Sequence, residues 1–202
     1  GKLTTRRSDA CITLAAGNVS HPATTVVYAY VGNANISRNR TLGLWRSRDA
    51  GKTWQDATGT LLNPTVPSRS GRQCGSLNLG HGQTWYNQAL AVDPSSDDHV
   101  LAGGNLCSVR TLNGTAAAPA WENVSNWLPA AGGTSNTLAG PLPYAHADWH
   151  TAAVTLVGGK PWVLCGNADL TRNLGLRATI KMPVKNGPID CRWLCYEIDG
   201  GR

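Results

Sequence analysis

The chain has 202 residues, 41% of them hydrophobic and 15% charged, enough for one domain with a core or for two small ones. Eighteen Lys and Arg against twelve Asp and Glu leave a net charge of +6. The densest basic groups, Lys2/Arg6/Arg7 and Arg38/Arg40/Arg46/Arg48, are broken by polar and apolar residues, so they read as solvated surface and no nucleic-acid partner is expected. No apolar run approaches transmembrane length and no hydrophobic signal segment opens the chain, which excludes a helical membrane span and predicts a mature secreted form or a piece of a longer protein.

In chain order, the first predicted element is a β-hairpin. "CITLAAGNVSHPATTVVYAYVGN" (residues 11–33) reads as an apolar strand, a turn, a second apolar strand and then Gly-Asn. "LGLWRS" (42–47) is a third strand, and "SRDAGKTWQDAT" (47–58) turns into a fourth. A second hairpin follows in "QALAVDPSSDDHVLAGGN" (88–105), where Asp-Pro and clustered Ser and Asp favour a tight reversal at residues 93–98. "NLCSVRTLNGTAAAPAWENVS" (105–125) is an altered copy of the outer pair, keeping Ser108, the Gly114 turn and Trp121. "HTAAVTLVGGKPWVLCGN" (150–167) is the third hairpin and again ends in Gly-Asn.

A repeat of four short strands describes a β-propeller blade. The predicted fold class is therefore all-β, with blades of four antiparallel strands. About three blades are visible, making a partial or fragmentary propeller over residues 1–169. Residues 170–202 lose the pattern and are expected to form a separate cysteine-containing tail.

Six cysteines, Cys11, Cys74, Cys107, Cys165, Cys191 and Cys195, include no CxxC pair, so disulfides of unassigned pairing are expected in preference to zinc or haem. Asn-x-Ser/Thr sequons begin at Asn18, Asn35, Asn39, Asn113 and Asn123. Both signals point to a secreted, extracellular glycoprotein.

Ser47-Arg48-Asp49-Ala50-Gly51-Lys52-Thr53-Trp54 matches S-x-D-x-G-x-T-W at every defined position. The chain thereby resembles the Asp-box, or bacterial neuraminidase repeat, family of secreted glycosyl-hydrolase-like β-propellers. "WYNQALAVDP" (85–94), "VLAGGN" (100–105) and "HADWHTAAV" (146–154) look like blade openings of that family. The resemblance implies a structural role for Ser47, Asp49, Gly51, Thr53 and Trp54: a hairpin turn whose aspartate accepts turn amides, whose glycine takes positive φ and whose tryptophan packs between blades. It also implies that closure needs six or seven blades, so open blade edges would remain for self-association or a partner chain. A sialidase is disfavoured, because there is no Arg-x-Pro segment and the glutamates are Glu122 and Glu197.

Glycoside hydrolysis by the usual route needs two carboxylates. Setting aside acids in predicted turns and near the chain ends leaves Asp148 and Asp169 as catalytic candidates. The resemblance supports Asp169 through a turn aspartate of xyloglucanase-like relatives, although "NADLTRN" lacks that turn's two glycines. In "YAHADWH" an extended backbone would project Tyr144, His146, Asp148 and His150 from one face and Trp149 from the other. That set suits a polar blade opening, glycan contact or proton transfer, with His146, Asp148 and His150 as a less favoured metal site. Trp85 and Tyr86 add aromatic surface for stacking on sugar rings. No cofactor is expected. The leading expectation is a carbohydrate-active protein that hydrolyses or binds a polysaccharide or other glycan. The alternative is an extracellular structural or adhesive module without catalysis.

Overall fold

The computed structural model describes residues 10–33, 40–63, 75–126, 147–158, 160–168, 176–181 and 193–197. The described residues are all-β, with thirteen strands and no helix. No helix among them is long and apolar enough to cross a membrane.

Three sheets follow one another along the chain. The first is an antiparallel meander of β1 (Ala10–Ala16), β2 (Val27–Asn33), β3 (Thr41–Ser47) and β4 (Gln55–Asp56). After it comes β5 (Thr60–Leu61), which leaves the first sheet altogether. The second sheet is built from β6 (Ala89–Asp93), β7 (Ser96–Gly103), β8 (Cys107–Thr111) and β9 (Ala120–Asn126), again antiparallel, and β5 pairs in parallel with its outer strand β9. The third contains β10 (Trp149–Val157), β11 (Lys160–Ala168), β12 (Leu176–Lys181) and β13 (Trp193–Glu197). The three hairpins read from the repeats are β1–β2, β6–β7 and β10–β11. The expected boundary at residue 169 falls inside this third sheet, because β12 and β13 continue it.

Packing follows the apolar alternation of the strands. Tyr28, Tyr30 and Leu44 of the first sheet meet Leu90, Val92, Val100, Val109 and Trp121 of the second in one buried cluster. Ala89 of the second sheet meets Trp149, Val163 and Cys165 of the third in another. Buried hydroxyls need partners: Tyr28 donates to the Asp97 carbonyl at 2.8 Å, and Tyr30 shares a 3.0 Å hydrogen bond with Thr41. Burial pushes both phenol pKa values well up.

The Ser47–Trp54 stretch is the turn joining β3 to β4. Asp49 Oδ1 accepts the Ser47 hydroxyl at 2.7 Å and the Thr53 amide at 2.8 Å, while Oδ2 accepts the Thr53 hydroxyl at 2.7 Å. Ser47 Oγ accepts the Gly51 amide at 2.7 Å, Gly51 sits at φ 90°, and the Trp54 indole folds back to donate to the Gly51 carbonyl at 3.0 Å. A looser copy joins β8 to β9, in a register different from the expected one. Thr111, not Ser108, ends β8 as Ser47 ends β3, and its hydroxyl donates to Asn113 Oδ1 at 2.8 Å. Asn113 Oδ1 also accepts the Ala120 amide at 2.9 Å, directly before Trp121, as Asp49 Oδ1 accepts the amide directly before Trp54. Ser108 instead pairs with Ser125 at 2.6 Å in the sheet interior.

Two connections lock the first sheet to the second. Past the Asp49 turn, β5 lies along β9, with Thr60 donating to the Pro119 carbonyl at 2.9 Å and Leu62 to that of Trp121 at 2.8 Å. The side chains and backbones of Asn63 and Asn123 bond reciprocally. The outer edge of the middle sheet is thus partly covered, in contrast to the fully open edges expected. Arg46 is the second lock. Expected on the solvated surface, it is only 2% exposed and its guanidinium bonds the carbonyls of Gly114 and Ala116 and Gln55 Oε1. Arg48, two residues on, donates to the Thr115 carbonyl. Arg46 lies two residues from buried Leu44 on β3 and so shares its core-facing side, which grouping it with Arg38, Arg40 and Arg48 as a basic cluster hid.

The expectations for cysteines and sequons also need correction. Cys11 and Cys165 are thiols outside any disulfide, whereas Cys107 is disulfide-bonded. Cys74 and Cys191 lie outside the described residues. Asn123 is buried in β9 and its amide donates to Asn63, so that sequon is closed to modification in the folded chain. Asn18 and Asn113 are exposed in turns.

Candidate functional site

The segment entering β6, residues 79–88, is where the three sheets come closest in hydrogen bonding. Gln83 donates its amide to the Gly80 carbonyl at 2.7 Å and accepts the Asn87 amide at 2.9 Å through its own carbonyl. The segment is anchored to the first sheet by Gln88, which donates to the Cys11 carbonyl at 3.1 Å and accepts the Thr13 hydroxyl at 3.0 Å. It is anchored to the second by the Leu79 carbonyl, which accepts the Asn105 amide at 2.9 Å. Gly104 permits this approach, since a Cβ there would lie 2.3 Å from the Leu79 oxygen. The third sheet joins when Asp148 donates its amide to the Asn105 carbonyl at 2.8 Å and Trp149 donates to that of Gly104 at 3.0 Å.

Within this junction the side chains form one network. Gln83 Oε1 accepts both the Tyr86 hydroxyl and the Asn87 amide at 2.7 Å. Asn87 Nδ2 also donates to Asp148 Oδ1 at 2.7 Å. Asp148 stands at φ 67°, a left-handed conformation that short polar side chains tolerate better than most. His150 Nδ1 lies 3.2 Å from the Tyr86 carbonyl, which fixes the ring proton on Nδ1, and its ring stacks on Tyr86 at 5.1 Å. Trp85 extends the row, its ring centroid 4.2 Å from that of Tyr86, and is 49% exposed. Burial, then the nearby Asp148 charge, raise the Tyr86 pKa. Asn87 Oδ1 and His150 Nε2 are buried acceptors with no hydrogen-bond partner among the described residues.

Asp148 and His150 therefore address the same segment, but by another route than simple alternation. The positive φ at Asp148 and a register shift between Trp149 and Thr151 break the period-two pattern, so Asp148 reaches Asn87 and His150 reaches Tyr86. Trp149 is 1% exposed, packed in the interface of the second and third sheets, which corrects its expected role as a binding surface. Tyr144, His146 and Asp169 lie outside the described residues. Asn87 and Gln83 went unread because an amide carries no spacing signature; "GQTWYNQ" showed only a polar lead into an apolar strand.

The chemistry this arrangement offers is bounded by its charges. Asp148 is the one carboxylate of the cluster among the described residues: Asp93, Asp97 and Asp98 sit around the β6–β7 turn, Asp49 and Asp56 in and after the β3–β4 turn, and Glu122 in β9. No group of three His, Cys, Asp or Glu side chains among the described residues is placed to hold a metal ion. What remains is a fixed carboxylate, two side-chain amides and an aromatic row open to solvent at Trp85. No protein-family model matches the chain, and no curated protein matches it.

Proposed function

We propose that the chain is a carbohydrate-binding protein of the extracellular space, its three sheets being blades of a partial propeller of the Asp-box kind. The carrying observation is the Trp85–Tyr86–His150 aromatic row beside the Asp148–Asn87–Gln83 hydrogen-bond network. An exposed indole stacks on the apolar face of a pyranose, and a carboxylate held by amides accepts hydroxyl protons at its edge. Binding is favoured over hydrolysis because the described cluster holds one carboxylate where the usual mechanism uses two. The Ser47–Trp54 turn and the meander of each sheet support the propeller reading. The Cys107 disulfide supports an oxidising compartment.

The test is a calorimetric screen of neutral plant and microbial polysaccharides against the wild type, Trp85→Ala and Asp148→Asn. Trp85→Ala removes an exposed ring and Asp148→Asn keeps an oxygen for Asn87, so both should fold normally. Each is expected to weaken binding by at least about tenfold, the loss typical of an aromatic or polar anchor. Wild-type affinity preserved in both variants would refute the site.

A further inference from the structure

The charge at the aromatic row is uncompensated. Asp148 Oδ1 accepts one hydrogen bond, from Asn87, and among the described residues Asp148 takes part in no ion pair. Carboxylates elsewhere are better provided for. Asp93 faces His99 at 3.4 Å and Glu122 faces Arg110 at 3.4 Å, while Asp98 accepts both the amide and the hydroxyl of Thr115. The buried phenols show the same contrast. Tyr28, between the first two sheets, feels Arg46 and Arg48 as well as Asp98 and Asp97, so both signs of charge act on it. At Tyr86 the pKa is raised by burial and then by Asp148, and no cation among the described residues opposes that charge. Protons are short as well. Both Nδ2 protons of Asn87 and the hydroxyl proton of Tyr86 are engaged by Gln83 and Asp148. Asn87 and Tyr86 therefore keep no proton for a ligand, and Asp148 offers it acceptors alone.

We infer that the ligand of this site is a basic amino sugar, an unacetylated hexosamine unit whose ammonium lies at Asp148 while its ring stacks on Trp85. The inference rests on the glycan reading of the site and narrows it. Trp85 is 49% exposed, and Tyr86 and Asp148 are partly exposed beside it. The face of an aromatic ring carries negative electrostatic potential, so the row and the carboxylate attract the same partner, a cation. A sugar hydroxyl would make an ordinary hydrogen bond to Asp148. An ammonium makes a charge-assisted one, supplies the protons the network lacks, and leaves the pyranose ring free to stack. The net charge of the chain sharpens the inference. At +6 the molecule repels a polycationic glycan at long range, so its attraction must come from a local site and not from the surface at large.

Isothermal titration at pH 6, where the sugar amine is protonated, tests this with a chitosan oligosaccharide and its fully N-acetylated counterpart of the same length. The two ligands differ only at the nitrogen. The wild type is expected to bind the amine form at least about tenfold more tightly, the gain of a charge-assisted hydrogen bond and a cation–π contact over neutral ones. Asp148→Asn keeps an oxygen for Asn87 and a side chain that tolerates the left-handed backbone, and it should bring the ratio of the two affinities to about one. An unchanged thermal transition will verify that the variant folds. Trp85→Ala should weaken both ligands. A wild-type ratio near one, with both ligands weakened in Trp85→Ala, overturns the amino-sugar inference and leaves the glycan site standing. A preference that survives Asp148→Asn also overturns it, by placing the ammonium elsewhere. Failure of the wild type to bind either oligosaccharide overturns it too, and the screen of neutral polysaccharides then decides the glycan reading separately.

Discussion

Asp49 holds Thr53 with both carboxylate oxygens, one accepting its amide at 2.8 Å and the other its hydroxyl at 2.7 Å. The Thr53 hydroxyl is the largest cause, and with the Thr53 amide and the Ser47 hydroxyl it lowers the Asp49 pKa to about 2. Because the folded value lies below the ordinary carboxylate value, the turn's contribution is complete above about pH 4 and is lost as pH falls towards 2. Asp49→Ala should therefore lower the thermal midpoint at pH 5 to 7, and the gap to wild type should narrow towards pH 2. Thermal scans at pH 7, 5 and 3 measure this; a gap constant with pH would mean that the Asp49 charge does not stabilise the turn.

Arg46 carries the largest buried polar commitment between the first two sheets. Arg46→Leu would strand the carbonyls of Gly114 and Ala116, which accept its guanidinium, and is expected to cost about 3 kcal/mol in urea unfolding. Burial, the largest cause, lowers the Arg46 pKa, so the site depends on a cation that stays protonated when desolvated. Arg46→Lys should recover only part of the loss, because one ammonium cannot span both carbonyls and Gln55. Full recovery by lysine would reduce the interaction to charge alone.

Gly59 and Gly82 both take positive φ, at 55° and 88°, but differ in their surroundings. A Cβ on Gly59 would lie 1.9 Å from the Pro119 carbonyl oxygen, the acceptor that starts the β5–β9 pairing. A Cβ on Gly82 would meet nothing within 4 Å. Gly82→Ala should cost only backbone strain, about 1 kcal/mol, while Gly59→Ala should cost about 3 kcal/mol or more by displacing β5. Denaturant midpoints of the pair give the comparison, and equal losses would show that β5 contributes little.

What the sequence disclosed and what it hid follow from the range of the interactions. The β1–β2, β6–β7 and β10–β11 hairpins were legible because alternation and turn chemistry are local, and the turn at Asp49 because its donors lie within a few residues of the acceptor. The equivalence of Thr111 with Ser47 was not, since Asn113 reaches over six intervening residues to Ala120 and the spacing of the complete motif is stretched. Arg46 looked like a surface charge until its carbonyl partners arrived from another sheet. At the candidate site, Asp148, His150, Trp85 and Tyr86 were singled out by chemistry, but Asn87 and Gln83 were not, and Trp149, read as aromatic binding surface, is core. The assignment of β12 and β13 to the third sheet rests on the pairing of β12 with β11 and of β13 with β12, which no local pattern announces.

Tyr86 reports on the charge of the candidate site. Its hydroxyl donates to Gln83, and its pKa is raised first by burial and second by the negative charge of Asp148. Asp148→Asn removes the second cause and leaves the first, so the Tyr86 titration should move down while staying above that of a solvated phenol. Tyr28 and Tyr30 are also raised, so the Tyr86 signal must be isolated as the difference in 295 nm absorbance between each protein and its Tyr86→Phe counterpart. Rapid pH jumps limit unfolding during the reading. A downward shift in Asp148→Asn would place an ionised carboxylate beside the aromatic row, the electrostatic condition for accepting ligand hydroxyl protons there. An unmoved midpoint would remove Asp148 from that role and leave Trp85 and Tyr86 as a purely stacking surface.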